Sequence, residues 1–159
     1  MRSLLLVLCP SFALCTEGVA QAVLQDHSVI ELRVARTSPA PGYTHRKSLG
    51  DTAFFLSDTV LVSDSDIEDA HAERTRDAGG SPLLVINVRL TAQADSRVAK
   101  STRSHVGYHL AMFLDQQLVG APPIVMEVGG RGDLQIECGP PAPLDRIGAA
   151  VAARWPDHH

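Results

Sequence analysis

The stretch Leu83-Leu84-Val85-Ile86-Asn87-Val88-Arg89-Leu90 decides how the rest of this chain is read. Successive side chains of an extended chain point to opposite faces, so Leu84, Ile86 and Val88 share one side and Val85, Asn87 and Arg89 the other. This is a strand with one well-buried face, the pattern of an antiparallel sheet that is wet on its other side. Upstream, residues 71–77 are polar and loosely alternating, and Gly79-Gly80 follow them. They predict an exposed strand that turns back into the apolar one. Downstream, Thr91 is placed to cap a helix running to about Val106, with a narrow inward face of Ala94, Val98, Ala99, Thr102 and Val106.

The same rules extend to both ends. Ile30, Leu32 and Val34 alternate with Glu31 and Arg33, which predicts an opening strand over Val29 to Val34. Thr37 to Gly50, with Pro39, Pro41, Gly42 and Gly50, reads as a surface loop. Thr52 to Leu56 reads as a second strand. Ser65 with Glu68 resembles a capping box and predicts a short helix to about Ala70. Leu110 to Leu114 and Leu118 to Val119 form a hairpin about Asp115-Gln116-Gln117. Ile124 to Val128 and Leu134 to Cys138 are read as strands flanking the glycine-rich turn Gly129 to Asp133. Leu144, Ile147, Val151 and Trp155 recur at helical spacing after Pro143, giving a closing helix. The expected class is α+β: a mixed, mostly antiparallel sheet with about three helices packed on it, in the order ββαββαββββα. There is no internal repeat, and residues 23–159 form one domain.

The totals narrow the function. Aromatics are 4% of the chain and the formal charge is −4, so neither a stacking platform nor a basic patch for nucleic acid is available. Met1-Arg2, the apolar run Leu4 to Leu14 and Ala20-Gln21-Ala22 match a signal peptide over residues 1–22, cleaved near Ala22. The expected location is therefore the periplasm or the exterior. A lipid anchor on Cys15 is the weaker alternative, because Leu14 stands where a small residue is wanted. No apolar run reaches the about 20 residues that a membrane-spanning helix needs. Cleavage would leave Cys138 as the lone thiol. It is read as a buried strand-end residue, with a disulfide dimer through Cys138 left open.

Candidate chemistry is sparse. His105 and His109 stand four apart and would share a helix face, a metal-chelating arrangement, if both were helical. They carry the alternative reading of a small envelope hydrolase or metal-dependent enzyme. Asp64, Asp66, Glu68 and Asp69 crowd one segment but lack the glycine and the distal carboxylate of a calcium loop, so capping is the expected role. Asp157-His158-His159 could take up stray metal at a free end. No serine sits in a Gly-x-Ser-x-Gly elbow, and Gly129-Gly130-Arg131-Gly132 lacks the Lys-Ser/Thr ending of a phosphate loop. Arg131-Gly132-Asp133 spells an adhesion tripeptide and is given no role. The expectation is no catalytic residue, no metal and no cofactor.

A series of short pieces then carries a resemblance: Ser38-Pro39-Ala40-Pro41-Gly42; Val60-Leu61 before Ser65-Asp66-Ile67; Val88-Arg89-Leu90-Thr91; and His105-Val106-Gly107 leading to Leu110 through Asp115. Leu118-Val119-Gly120-Ala121-Pro122-Pro123-Ile124, Gly129-Gly130-Arg131 and Leu134-Gln135-Ile136 complete it. In this order and spacing, from Val29 to Trp155, the chain resembles the head subdomain of the first periplasmic domain of SecD and SecDF. The resemblance implies a mobile, non-enzymatic head that holds or pulls emerging polypeptide while membrane helices use the proton gradient. Its partner would be a protein or peptide, with Ala121, Pro122, Pro123 and Ile124 near the contact. The Pro122-Pro123 doublet and the proline-rich Gly139 to Pro143 depart from the family pattern, as does the want of a membrane-spanning run.

Overall fold

A computed structural model describes residues 28–156. The leader expected over residues 1–22, the anchor alternative on Cys15 and the terminal Asp157-His158-His159 lie outside the described residues. Within them the chain forms β1 (Ile30–Arg36), β2 (His45–Leu49), β3 (Thr52–Leu56), a 3-10 turn (Asp64–Asp66), β4 (Ile67–Arg76), β5 (Pro82–Leu90), α1 (Ala92–Ser104), β6 (His109–Leu114), β7 (Gln117–Gly120), β8 (Asp133–Cys138) and α2 (Leu144–Arg154). The α+β class stands. In place of one sheet there are two, ordered β2-β3-β1-β6-β7 and β4-β5-β8, with every strand pairing antiparallel.

β5 is the middle strand of the smaller sheet. Leu84, Ile86, Val88 and Leu90 are buried while Asn87 and Arg89 are exposed, as the alternation requires. The Asp77 carboxylate accepts the N–H groups of Gly79 and Ser81 at 2.9 and 2.8 Å, which closes the hairpin from β4. In the larger sheet, Ile30, Leu32 and Val34 of β1 and Leu110 and Leu114 of β6 face the main core. That core also takes Ala94 and Val98 of α1, Ile136 of β8, and Ile147 and Val151 of α2. Each such Leu, Ile or Val contributes about 1.5–3 kcal/mol by leaving water. The opposite face of the larger sheet encloses a second, smaller core of Ala35, Phe54, Leu56, Ala111, Phe113 and Leu118. The sheet curls around it until its edges, β2 and β7, touch.

Several expectations need correction. Residues 45–49, read as loop, form β2: all five side chains are exposed, so no alternation marks them, and pairing with β3 makes the strand. The short helix expected after Ser65 is a single 3-10 turn, set two residues earlier: the Asp66 carboxylate accepts the Ser63 N–H at 3.0 Å. The chain goes straight from it into β4, whose residues pair with β5 from Ile67 onward. Among the described residues there are thus two α-helices. Residues 124–128 are not a strand, because β8, their expected partner, pairs with β5. Helix α1 ends at Ser104, which leaves Val106 exposed instead of inward.

Cys138 ends β8 as expected, at 1% exposure in the main core, and burial pushes its thiol up. A disulfide dimer through Cys138 is not supported: a second chain cannot reach the sulfur, and the reactive thiolate is disfavoured. Among the described residues no helix is long and apolar enough to cross a membrane.

Candidate functional site

Ala121, Pro122, Pro123 and Ile124 extend β7 along the edge of the larger sheet. Ile124 N–H donates to Tyr108 C=O at 2.8 Å, Leu110 N–H to Pro122 C=O at 2.9 Å, and Gly107 N–H to Ile124 C=O at 2.8 Å. The segment is thereby laced to residues 107–110, with His109 opposite Pro123. In this register the backbone groups of Pro123 point away from the sheet, and proline has no N–H. The edge therefore lacks a donor where a sixth strand would need one, the usual means by which an edge is kept from pairing with other chains. Ile124 is buried, whereas Pro122 and Pro123 are exposed.

What this region does expose is apolar side-chain surface. Val125 is 75% exposed, Met126 67% and Val106 54%, and Val106 and Val125 flank the Gly107–Ile124 hydrogen bond. With Pro122 and Pro123 they form an apolar ridge. The sequence hid it by suggesting that 124–128 was a strand and that Val106 faced inward. The ridge is anchored from beneath by Thr102, fully buried on α1. Its hydroxyl lies 2.9 Å from Val98 C=O and accepts the Val128 N–H at 2.9 Å. Gly129 follows with φ +103°, against the first turn of α1. A Cβ there would stand 3.1 Å from Asp95 C=O and carboxylate, and the Gly130 N–H donates to that carboxylate at 2.8 Å.

His105 and His109 are not brought together. His105 is the C-cap residue of α1; its Nδ1 lies 2.7 Å from Ser101 C=O and its ring 5.2 Å from Tyr108. His109 opens β6 with Nδ1 3.0 Å from Ala121 C=O and its ring 5.1 Å from Phe54, at the end of the smaller core. The rings attend opposite faces of the larger sheet, so the shared helix face behind the metal-enzyme reading does not exist. Among the described residues no group of three or more His, Cys, Asp or Glu side chains is placed to hold a metal ion.

In the acidic segment Asp66 does the capping, through Ser63, while Glu68 and Asp69, expected to share that role, lie exposed on β4. The Asp64 carboxylate accepts the N–H groups of Val29 and Ile30 at 3.0 and 2.9 Å and faces Arg154 at 3.3 Å, tying β1 to α2. Asp66 pairs with Arg97 at 2.7 Å. Burial pushes the Asp66 carboxyl up, but the hydrogen bonds from Arg97 and Ser63 together outweigh it and hold the group below the usual carboxylate range.

Sequence reasoning missed one cluster altogether. The Arg36 guanidinium lies over the Tyr108 ring at 5.0 Å and the Tyr43 ring at 5.7 Å, and the two tyrosines meet edge to face at 6.1 Å. The signal was present in β1, where a charge takes the fourth place of the stripe Ile30, Leu32, Val34.

This fold has known counterparts. The family described as SecDF, P1 head subdomain matches residues 42–139. The solved structure of a membrane component SecDF that enhances protein export superposes with a TM-score of 0.52 at 17% identity, covering 80% of this chain and 62% of that one. SecDF in a super-membrane-facing form gives 0.50 at 18% identity, covering 80% of this chain and 18% of that one. The chain thus spans less than two-thirds of the length of either. No curated protein matches it.

Proposed function

Because the chain belongs to the SecDF P1 head subdomain family, we propose that it is a non-enzymatic envelope module that binds extended polypeptide in support of protein export. The observation that carries this reading is the apolar ridge of Val106, Pro122, Pro123, Val125 and Met126. It is exposed to water yet fixed by the backbone bonds to residues 107–110 and by Thr102. Contiguous exposed apolar surface marks interaction sites. An unfolded chain offers what the ridge lacks, further apolar side chains. Pro123 removes the donor needed for strand addition, so contact proceeds through side chains and not through a backbone ladder. A solved structure of similar fold is a component that enhances protein export, which favours polypeptide as the ligand. On this reading the protein works in the periplasm or outside the cell, its leader removed near Ala22.

Binding is tested with a fluorescent, reduced and carboxymethylated unfolded protein, read by anisotropy. Wild type is expected to bind saturably. The double substitution Val125→Asp, Met126→Asp is expected to weaken binding at least about tenfold, about 1.4 kcal/mol, while the melting temperature stays put because both side chains are mostly in water. Absence of binding by wild type, or unchanged binding by the double variant, would count decisively against the proposal.

A further inference from the structure

On β1, Ile30, Leu32 and Val34 are buried in the main core, and the next side chain on that face is Arg36. Arg36 is half-buried and stacked on two tyrosines, yet among the described residues it has no carboxylate partner and no hydrogen bond. Other half-buried arginines do not share this state. Arg33 holds Glu31 and Ser57 C=O, and Arg97 holds Asp66 and Leu61 C=O. The two ring contacts engage the charge of the guanidinium and use none of its five N–H donors as hydrogen bonds to oxygen; such donors match a carboxylate two at a time.

Beside the cluster opens a cleft of about 310 Å³, lined by Tyr43, Ser57, Thr59, Ser101 and His105 over Leu61. Four of these carry hydroxyls, and no acidic side chain lines it. The negative end of α1 reaches this region, with three of its carbonyls already engaged: Lys100 by the Ser104 hydroxyl, Ser101 by Ser104 and His105, and Thr102 by the His105 N–H. Arg36 does not itself line the cleft but meets it at Tyr43, whose ring it contacts; a half-buried guanidinium with no acid of its own, next to a cleft of hydroxyls, is a half-built anion site.

We propose that this cleft binds a carboxylate of the polypeptide ligand, with Arg36 as the paired cation and the cleft hydroxyls as further donors. The inference rests on the polypeptide-binding reading and gives it a chemical preference. Val106 and Gly107 join His105 to Tyr108, so cleft and apolar ridge adjoin. The ligand would then present apolar side chains next to an acidic residue or a free C-terminus.

The test uses three fluorescein-labelled peptides of one apolar sequence titrated into the full chain: one with a central Glu and an amidated end, one with Gln and an amidated end, and one with Gln and a free C-terminal carboxylate. The Glu peptide or the free-end peptide is expected to bind about tenfold or more tighter than the uncharged one, the weight of one charge-assisted pair. Which of the two is favoured identifies the source of the carboxylate. Arg36→Gln is expected to erase the preference while leaving binding of the uncharged peptide intact, and Arg36→Lys to restore it only in part. In parallel, N-acetyl-glutamate, but not N-acetyl-glutamine amide, is expected to shift the Arg36 Nε–H resonance saturably, a readout that does not require peptide binding. Equal binding of all three peptides, a preference that survives Arg36→Gln, or an unmoved Arg36 resonance overturns the inference. Failure of every peptide to bind, alongside a shifted resonance, upholds the anion site and overturns the polypeptide reading instead.

Discussion

Replacing Thr102 by valine tests how the ridge is held. Valine fills the same space, so little cavity is created in a side chain that is fully buried. What goes is the oxygen that accepts the Val128 N–H at 2.9 Å. A buried donor left without its acceptor costs about 1–3 kcal/mol. The lost donation to Val98 C=O costs little, since that carbonyl keeps its place in the helix ladder. Thr102→Ser keeps the oxygen and drops one methyl, for about 1 kcal/mol. With a urea slope of about 2 kcal/mol/M, the valine variant should unfold at a midpoint about 0.5–1.5 M lower than wild type. Hydrogen exchange separates the two causes: the Val128 amide should lose protection in the valine variant and keep it in the serine variant. A valine variant with an unmoved midpoint and a protected Val128 amide would refute the assignment of Thr102 as the anchor of residues 124–128.

Three further outcomes are expected. The folded-state pKa of Asp66 lies below its unfolded value of about 3.9, so its stabilisation is fully present above pH ~4 and is lost as pH falls through the lower folded value. Urea midpoints at pH 6 and pH 2.5 should therefore differ less in Asp66→Asn than in wild type, and an equal or larger difference rejects the Arg97–Asp66 contribution. Gly129→Ala should be more destabilising than Gly130→Ala, because both sit at positive φ but only Gly129 would press a Cβ against Asp95; similar melting temperatures for the two would contradict this. In a chain carrying Cys9→Ser and Cys15→Ser, the Cys138 thiol should ignore a disulfide reagent until urea unfolds the protein; rapid labelling of the native state would show the sulfur to be accessible.

How much of this was legible in the chain depended on whether burial left a period behind. β1, β5, β6, β8, α1 and α2 each bury one face, and alternation or helical spacing located them within a residue or two. β2 buries nothing: His45-Arg46-Lys47-Ser48-Leu49 is a strand only because β3 offers it a ladder. The stretch 124–128 has strand composition, yet its backbone is claimed by residues 107 and 108 and by Thr102, partners no local pattern announces. The family's ordered pieces were readable, and from them comes the proposal of a contact at Ala121 to Ile124. The adjoining exposed residues and Arg36 were not readable, since Arg36, Tyr43 and Tyr108 meet only through the pairing of β1 with β6 and the path of the loop after β1. The His105 and His109 spacing suggested a site that the end of α1 at Ser104 dissolves.

The two prolines on the sheet edge bear on time as well as on shape. A client strand that zipped onto an open edge would leave only by breaking every rung together, and its residence would lengthen with each residue added. Contact limited to side chains on a short ridge can be lost a few groups at a time, so dwell is brief and nearly independent of client length. On the proposed function, Pro123 thus fits a surface that chains pass over in succession, and it would keep a protein meeting unfolded chains from seeding their aggregation.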